Sequence, residues 1–144
     1  MYEDILLPTD GSDAVAAAAE HAATIADRFD ATVHVLSVAD TRNRFESPTG
    51  GISADAWLRA EHDRAETAAA EAVAALPDDL TVETATDEGI PRDVIVDYAE
   101  ESDVDMIVMA THGRTGLQHY LIGSVTEKVV RRSPVPVVTV RSPD

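Results

Sequence analysis

The chain has 144 residues and a hydrophobic fraction of 44%, which suits one compact domain with a buried core over residues 1–144. Its 27 acidic and 11 basic residues give a formal net charge of −16. This charge excludes the basic surface that binding to DNA, RNA or an anionic membrane requires. The absence of cysteine excludes disulfides, thiolate metal sites and thiol nucleophiles.

Two features bear on the cellular setting. The N-terminus lacks a basic region followed by a long apolar stretch, and the longest apolar run, residues 14–19, is too short to span a bilayer. We therefore expect a cytoplasmic protein. The acid-rich composition, with Lys128 as the single lysine, is typical of proteins that work in concentrated salt. A halophilic source is expected over the alternative, an ordinary acidic bacterial protein.

The first half of the chain alternates apolar strands with alanine-rich helices. The apolar residues of the first helix, from Val15 to Phe29, recur at helical spacing, and His34 lies in a β-branched run. The predicted elements are a strand at 5–7, a turn at 8–11, a helix capped by Ser12 or Asp13, a strand at 32–38, a loop at 39–52 and a helix from Ser53 to about Leu76.

The second half repeats the alternation. The predicted elements are a more exposed strand at 80–85, a turn at Gly89, a helix with Pro91 in its first turn, a strand at 106–109, a loop at 110–123, a helix from Ser124 to Arg132 and a strand at 136–140. Strict alternation of strands and helices predicts a single-domain α/β fold. Its core is an open parallel five-stranded sheet with helices on both faces.

Two loops that follow wholly apolar strands carry the candidate chemistry. One spans residues 8–12, and the other spans 110–116 and returns at 123–126. In parallel sheets, ligands bind beyond the carboxyl ends of the strands, where the strand order reverses. Gly113 would let a phosphate approach the backbone, and Gly123 begins a helix whose N–H groups and dipole attract anions. The hydroxyls of Ser124 and Thr126 can donate further hydrogen bonds to a phosphate.

Each of these residues also has a purely structural interpretation. The glycines can simply make turns, Ser124 can simply cap a helix, and Asp10 can bond its own backbone in a turn instead of accepting a ribose hydroxyl. The sequence contains neither G-x-x-x-x-G-K-[ST] nor G-x-G-x-x-G after the first strand. A P-loop and an ordinary dinucleotide-binding fold are therefore excluded.

Four segments together resemble the universal stress protein (UspA) family over the whole chain. They are ILLPTDGS at 5–12, MATHGRTGL at 109–117, LIGSVTEKVV at 121–130 and PVPVV at 134–138. The nucleotide-binding branch of that family carries G-x2-G-x9-G-[ST]. Gly113 and Gly123 with Ser124 fit this motif, whereas Ala110 replaces its first glycine.

The resemblance implies a Rossmann-like strand order 3-2-1-4-5, with ATP bound at the reversal between the first and fourth strands. Asp10 would meet the ribose, and the backbone of Val38 would meet the adenine edge. His112 and Arg114 would either contact the terminal phosphate or remain solvated. The remaining implied contacts are Pro8, Thr9, Met109 and Ala110 beside the base and ribose, and Gly113, Gly123, Ser124, Val125 and Thr126 at the phosphates.

The methyl group of Ala110 is expected to be tolerated if the backbone keeps a negative φ. A Mg²⁺ or Mn²⁺ ion would be held through the phosphates, with few protein ligands. The resemblance also implies a homodimer through the C-terminal strand at 136–140, and Val138→Pro is expected to interrupt its pairing.

The favoured function is a nucleotide-dependent binding module in the stress response, with no catalytic residue. Ser12 or Ser124 with His112 and Asp10 could suggest a catalytic triad, but capping explains both serines. Two alternatives remain open. One is a family member that has lost nucleotide binding and acts through protein contacts, and the other is a slow ATPase or autokinase.

Overall fold

The computed structural model describes residues 1–42, 54–112 and 122–142. Five strands and four helices alternate along this described part of the chain, as the sequence predicted. Their bounds are β1 Asp4–Thr9, α1 Val15–Phe29, β2 Thr32–Asp40, α2 Ala54–Ala74, β3 Thr81–Gly89, α3 Pro91–Glu101, β4 Met106–Ala110, α4 Ser124–Arg132 and β5 Val137–Val140. The strands form one parallel sheet in the order β3-β2-β1-β4-β5, which confirms the predicted fold class.

Two apolar clusters cover the two faces of the sheet. On one face, Ile5 and Val33 pack against the small residues of α1 and α2, such as Ala22 and Ala69. Helices α3 and α4 cover the other face, where apolar side chains including Leu6, Leu36, Ile95, Ile107 and Val129 meet. Alanine on α1 and α2 lets the helix backbones approach the sheet closely, which explains how a chain with 4% aromatic residues fills its core.

The ladder between β1 and β4 ends early, and this opens a crevice. The β1–β2 pairing runs on to Thr9, whereas the β1–β4 pairs are at Ile5 and Leu6. The backbone of Asp4 faces β4, because its carbonyl accepts the N–H of Asp105. The backbone groups of every second residue in a strand face the same neighbouring strand, so those of Pro8 face β4 as well. Proline has no N–H to offer there, so the two strands part at the carboxyl end of the sheet.

Several predicted boundaries are wrong, chiefly because strands extend into predicted turns and loops. Strand β1 continues through the predicted turn to Thr9, β2 continues to Asp40, and β3 continues to Gly89. Each extension is paired with a neighbouring strand, at Thr9↔Ser37 and at Asp40↔Gly89. Tertiary pairing therefore overrides the local turn tendency of these polar residues.

The predicted helix caps are also wrong. Ala14 occupies the N-cap of α1 and makes no side-chain capping bond. Ser12 and Asp13 contribute their backbone carbonyls instead, which accept the N–H groups of Val15 and Ala16 at 3.2 Å. At α4 the N-cap is Gly123, so that Ser124 is the first helical residue and not the cap.

One residue of the predicted apolar stripe faces solvent. Phe29, at the end of α1, is 52% exposed, and its ring stands edge-on to Tyr2 at a centroid distance of 5.2 Å. Tyr2 is partly buried and packs against the core, so the aromatic pair lies at the margin of the core. The other predicted stripe residues of α1, Val15, Ala18, Ala22, Ile25 and Ala26, are buried or partly buried.

Candidate functional site

A cavity of about 400 Å³ lies at the crevice between the carboxyl ends of β1 and β4. Its size is within the range of roughly 300–1,000 Å³ that is usual for small-molecule sites. Gly113 and Arg114 lie outside the described residues. All the other predicted site residues line this cavity: Pro8, Thr9, Asp10, Val38, Met109, Ala110, His112, Gly123, Ser124, Val125 and Thr126.

One end of the cavity is the N-terminus of α4. The backbone N–H groups of Ser124, Val125 and Thr126 belong to the first turn, where an α-helix has no internal acceptors for them. Aligned N–H groups and the positive end of the helix dipole make this turn a binding site for anions. The N–H of Gly123 is already used, because it donates to the carbonyl of Thr111.

The buried hydroxyl of Thr126 is committed within the protein. It donates to the carbonyl of Ala110 at 2.8 Å and thereby joins α4 to the end of β4. From the sequence, this hydroxyl was expected to donate a hydrogen bond to a phosphate, and the structure corrects that expectation. The backbone N–H of Thr126 remains without an intrahelical acceptor, and the exposed Ser124 carries the other hydroxyl of this turn.

The carboxylate-bearing residue Asp10 also lines the cavity. Its Oδ1 accepts the N–H of Ser12 at 3.0 Å, which forms the turn that ends β1. The hydroxyl of Thr9 supports the same turn by accepting the N–H of Gly11 at 3.2 Å. The structural interpretation of Asp10 is therefore correct, and it is compatible with ligand binding, since carboxylate oxygens accept more than one hydrogen bond.

Part of the cavity lining forms an apolar slot. It is formed by Leu36, Val38, Ile95 and Met109, all of them buried. Ala110 is the last residue of β4 and pairs with Val140, so its backbone is extended. Its methyl group is therefore accommodated without strain, as the sequence analysis required.

Four charged residues that the sequence analysis missed also line the cavity: Asp40, Arg42, Arg64 and Glu127. Asp40 holds Arg42 in a two-point contact through Nε and Nη2. This hydrogen bond raises the pKa of Arg42 above its ordinary value and keeps the guanidinium charged. Glu61 and Arg64 are three residues apart on α2, a spacing from which an ion pair could have been predicted. The spacing does not indicate that the pair lies beside the cavity.

No metal centre is evident in the described part of the chain. No group of three or more histidine, aspartate or glutamate side chains could hold a metal ion within residues 1–42, 54–112 and 122–142. The Nδ1 atom of His112 lies 3.1 Å from the hydroxyl of Thr111, its neighbour in sequence. In the same ranges, no helix is long and apolar enough to cross a membrane.

His34 lies near the start of β2, at the end of the sheet away from the cavity, and is buried. Its Nδ1 is 2.9 Å from the hydroxyl of Tyr98 and its Nε2 is 2.8 Å from Oδ1 of Asp4. The imidazole is buried and both of its nitrogens have polar partners, as buried polar groups require. Burial raises the pKa of Tyr98, so its phenol remains protonated. The contacts among Tyr98, His34 and Asp4 therefore involve a neutral phenol.

Comparisons with known proteins identify the family to which this fold belongs. The model of the universal stress protein family matches residues 1–141. Universal stress protein MJ0531 of Methanocaldococcus jannaschii is 39% identical over 99% of this chain and 84% of its own length. The solved structure of protein MJ0577 from the same organism superposes with a TM-score of 0.86 at 31% identity, covering 100% of this chain and 99% of the other.

A further neighbour is a universal stress protein solved in complex with cAMP. It is 28% identical and has a TM-score of 0.65, covering 99% of this chain and 98% of the other. The fold and the site thus define the class of this protein, an α/β protein with a crevice where the strand order reverses. The chain belongs to the universal stress protein family.

Proposed function

We propose that this protein is a cytoplasmic universal stress protein that binds ATP and acts as a nucleotide-dependent, dimeric module of the stress response. The observation that carries the proposal is the cavity between β1 and β4. It combines a carboxylate at Asp10, an apolar slot and the N-terminal turn of α4 in one space of about 400 Å³. The carboxylate matches a ribose hydroxyl, the apolar slot matches a purine base, and the helix N-terminus matches a phosphate chain.

The local charges resolve the apparent conflict between an anionic protein and an anionic ligand. The formal net charge is −16, yet phosphates would meet the aligned N–H groups of α4. Glu127 beside this turn is engaged with Arg131 at 3.2 Å, which reduces its repulsion of a phosphate. A Mg²⁺ or Mn²⁺ ion would bind through the phosphate oxygens and offset the remaining charge.

The relative that was solved with cAMP supports an adenine nucleotide as the ligand class. Within that class, the N-terminal turn of α4 favours a ligand with an extended phosphate chain, since several N–H groups are presented together. The apolar slot favours a flat base over a second charged group.

The direct test is to identify what the purified protein carries and binds. Mass spectrometry of ligand extracted from freshly purified protein is expected to find ATP or its breakdown products. Calorimetry on the nucleotide-free protein is expected to show ATP binding, and inorganic phosphate release is expected to stay at the background of the Gly123→Val variant. Absence of both extracted nucleotide and measurable ATP binding would refute the proposal and favour a module that acts through protein contacts alone.

Ser124→Ala is expected to weaken ATP binding moderately. It removes one hydroxyl donor to a charged phosphate, a loss of about 1–2 kcal/mol or roughly tenfold in affinity. The fold is unaffected, because Ser124 is exposed and makes no capping bond. Calorimetry gives the affinity, and Lys128→Ala on an exposed turn of the same helix is the control that leaves the first turn intact. An unchanged affinity in Ser124→Ala would exclude this hydroxyl from the phosphate site.

Salt is expected to stabilise the protein. At a formal net charge of −16, self-repulsion disfavours the compact state, and added ions screen it. The melting temperature, followed by circular dichroism, should therefore rise between dilute buffer and molar KCl. A melting temperature that does not change over this range would contradict adaptation to concentrated salt.

A further inference from the structure

The guanidinium of Arg64, a residue that lines the cavity, joins α2 to the ends of two strands. Its Nη1 donates to the carbonyl of Asp10 at 3.1 Å, and its Nη2 donates to the carbonyl of Val38 at 3.0 Å. Asp10 follows the last residue of β1, and Val38 lies near the end of β2. Arg64 thus bridges the backbone at the two positions that the sequence analysis assigned to ribose and base.

Glu61 fixes the orientation of this guanidinium. Its Oε1 accepts Nε of Arg64 at 3.0 Å and Nη2 at 2.8 Å, and it also accepts the backbone N–H of Asp40 at 3.3 Å. The side chains of Arg64 and Glu61 are 25% and 14% exposed, so the pair is largely shielded from solvent. A partly buried, multiply bonded guanidinium is far better ordered than a surface ion pair.

We infer that Arg64 is a positioning residue for the adenosine moiety, an inference that rests on the proposed ATP binding. The two carbonyls that it holds belong to the residue that follows β1 and to a residue of β2, and a bound nucleoside would contact the same two residues, Asp10 and Val38. By occupying one lone pair of each carbonyl, Arg64 fixes the carboxylate of Asp10 and the base-facing edge of Val38 before the ligand arrives. Preorganised contacts bind more tightly because the ligand does not have to order them.

The competing interpretation is that Arg64 only attaches α2 to the sheet. A simple attachment would affect every ligand of the folded protein alike, whereas a nucleoside-positioning residue acts only on ligands that contain a nucleoside. Three ligands separate these interpretations: ATP, AMP and inorganic tripolyphosphate. The last can occupy the α4 turn but makes no use of Asp10 or Val38.

The experiment measures the affinity of these ligands for the wild-type protein and for Arg64→Met, Arg64→Lys and Arg59→Met. Arg64→Met is expected to lose affinity for ATP and for AMP by the same factor of roughly tenfold, the scale of a lost supporting hydrogen bond. Its affinity for tripolyphosphate should stay unchanged. Lysine keeps the charge but cannot donate to two carbonyls from a rigid fork, so Arg64→Lys should fall between the wild type and Arg64→Met. It also keeps the test available if Arg64→Met fails to fold.

Arg59→Met is the matched control, because Arg59 is exposed on the same helix and its loss changes the net charge equally. It should bind all three ligands as the wild type does. Equal losses for ATP and tripolyphosphate in the Arg64 variants, or no loss for ATP and AMP, would overturn the assignment of Arg64. A wild-type protein that binds no nucleotide would instead refute the proposed function itself, so the two failures are distinguishable.

Discussion

Gly123→Val is expected to abolish ATP binding while leaving the fold intact. Gly123 is the N-cap of α4, with φ −76° and ψ 161°, a conformation that any L-residue adopts without strain. The branched side chain would stand at the mouth of the first turn, where the phosphate chain has to approach the N–H groups. Calorimetry should therefore detect no ATP binding, while circular dichroism should retain the wild-type spectrum.

Gly123→Ala is the matched control for this substitution. Alanine and valine are both poorer N-cap residues than glycine, so both variants lose helix stability of about 1 kcal/mol or less. Only valine adds a branched group large enough to exclude a phosphate. We expect Gly123→Ala to keep measurable affinity for ATP. If Gly123→Val binds ATP as well as the wild type does, the phosphates do not bind at the N-terminus of α4.

The order and type of the elements could be predicted because hydrophobic periodicity determines them. The wholly apolar run at β4 has no alternating polar face, and such a run is buried on both sides in a parallel sheet. The ends could not be predicted in the same way. Whether Thr9 or Asp40 continues a strand depends on the neighbouring strand that pairs with it, and the local sequence there is typical of turns.

The candidate site, too, could be predicted from the sequence only in part. Residues that lie on the two loops next to β1 and β4 were found, because loops at the strand-order reversal are near one another in any sheet of this topology. Arg64 was missed because it comes from the middle of α2, and the sequence gives no indication of which helical face meets the end of the sheet. Its contacts are to backbone carbonyls, and backbone acceptors carry no signature in a sequence.

The edge strand β5 determines which substitution tests the proposed dimer. The carbonyls of Pro136 and Val140 accept the N–H groups of Ile107 and Thr111, so these residues face β4. Alternation along a parallel strand directs the backbone of Val138 toward β4 too, in line with its pairing to Val108. Val138→Pro would therefore disrupt the pairing of β5 with β4 within one protomer. This substitution, which the sequence suggested, is the wrong one for testing the contact between two protomers.

Thr139→Pro is instead expected to shift the protein from dimer to monomer without unfolding it. The N–H of Thr139 points away from β4, to the open edge where a second copy would pair, and its side chain is exposed. Proline is tolerated on an edge strand when its missing N–H faces outward, so the monomer should keep its melting temperature within a few degrees.

Val138→Pro serves as the contrasting variant in this experiment, because its missing N–H faces inward. It should lower the stability of the monomer by about 1–3 kcal/mol, the scale of a backbone acceptor left without its hydrogen bond. Light scattering at several protein concentrations in high salt, together with thermal melts, measures both effects. The dimer interface is elsewhere if Thr139→Pro dimerises with unchanged affinity. A wild-type protein that stays monomeric at high concentration would mean that this edge remains unpaired, and a strand of four residues ending at Val140 is short enough to be left so.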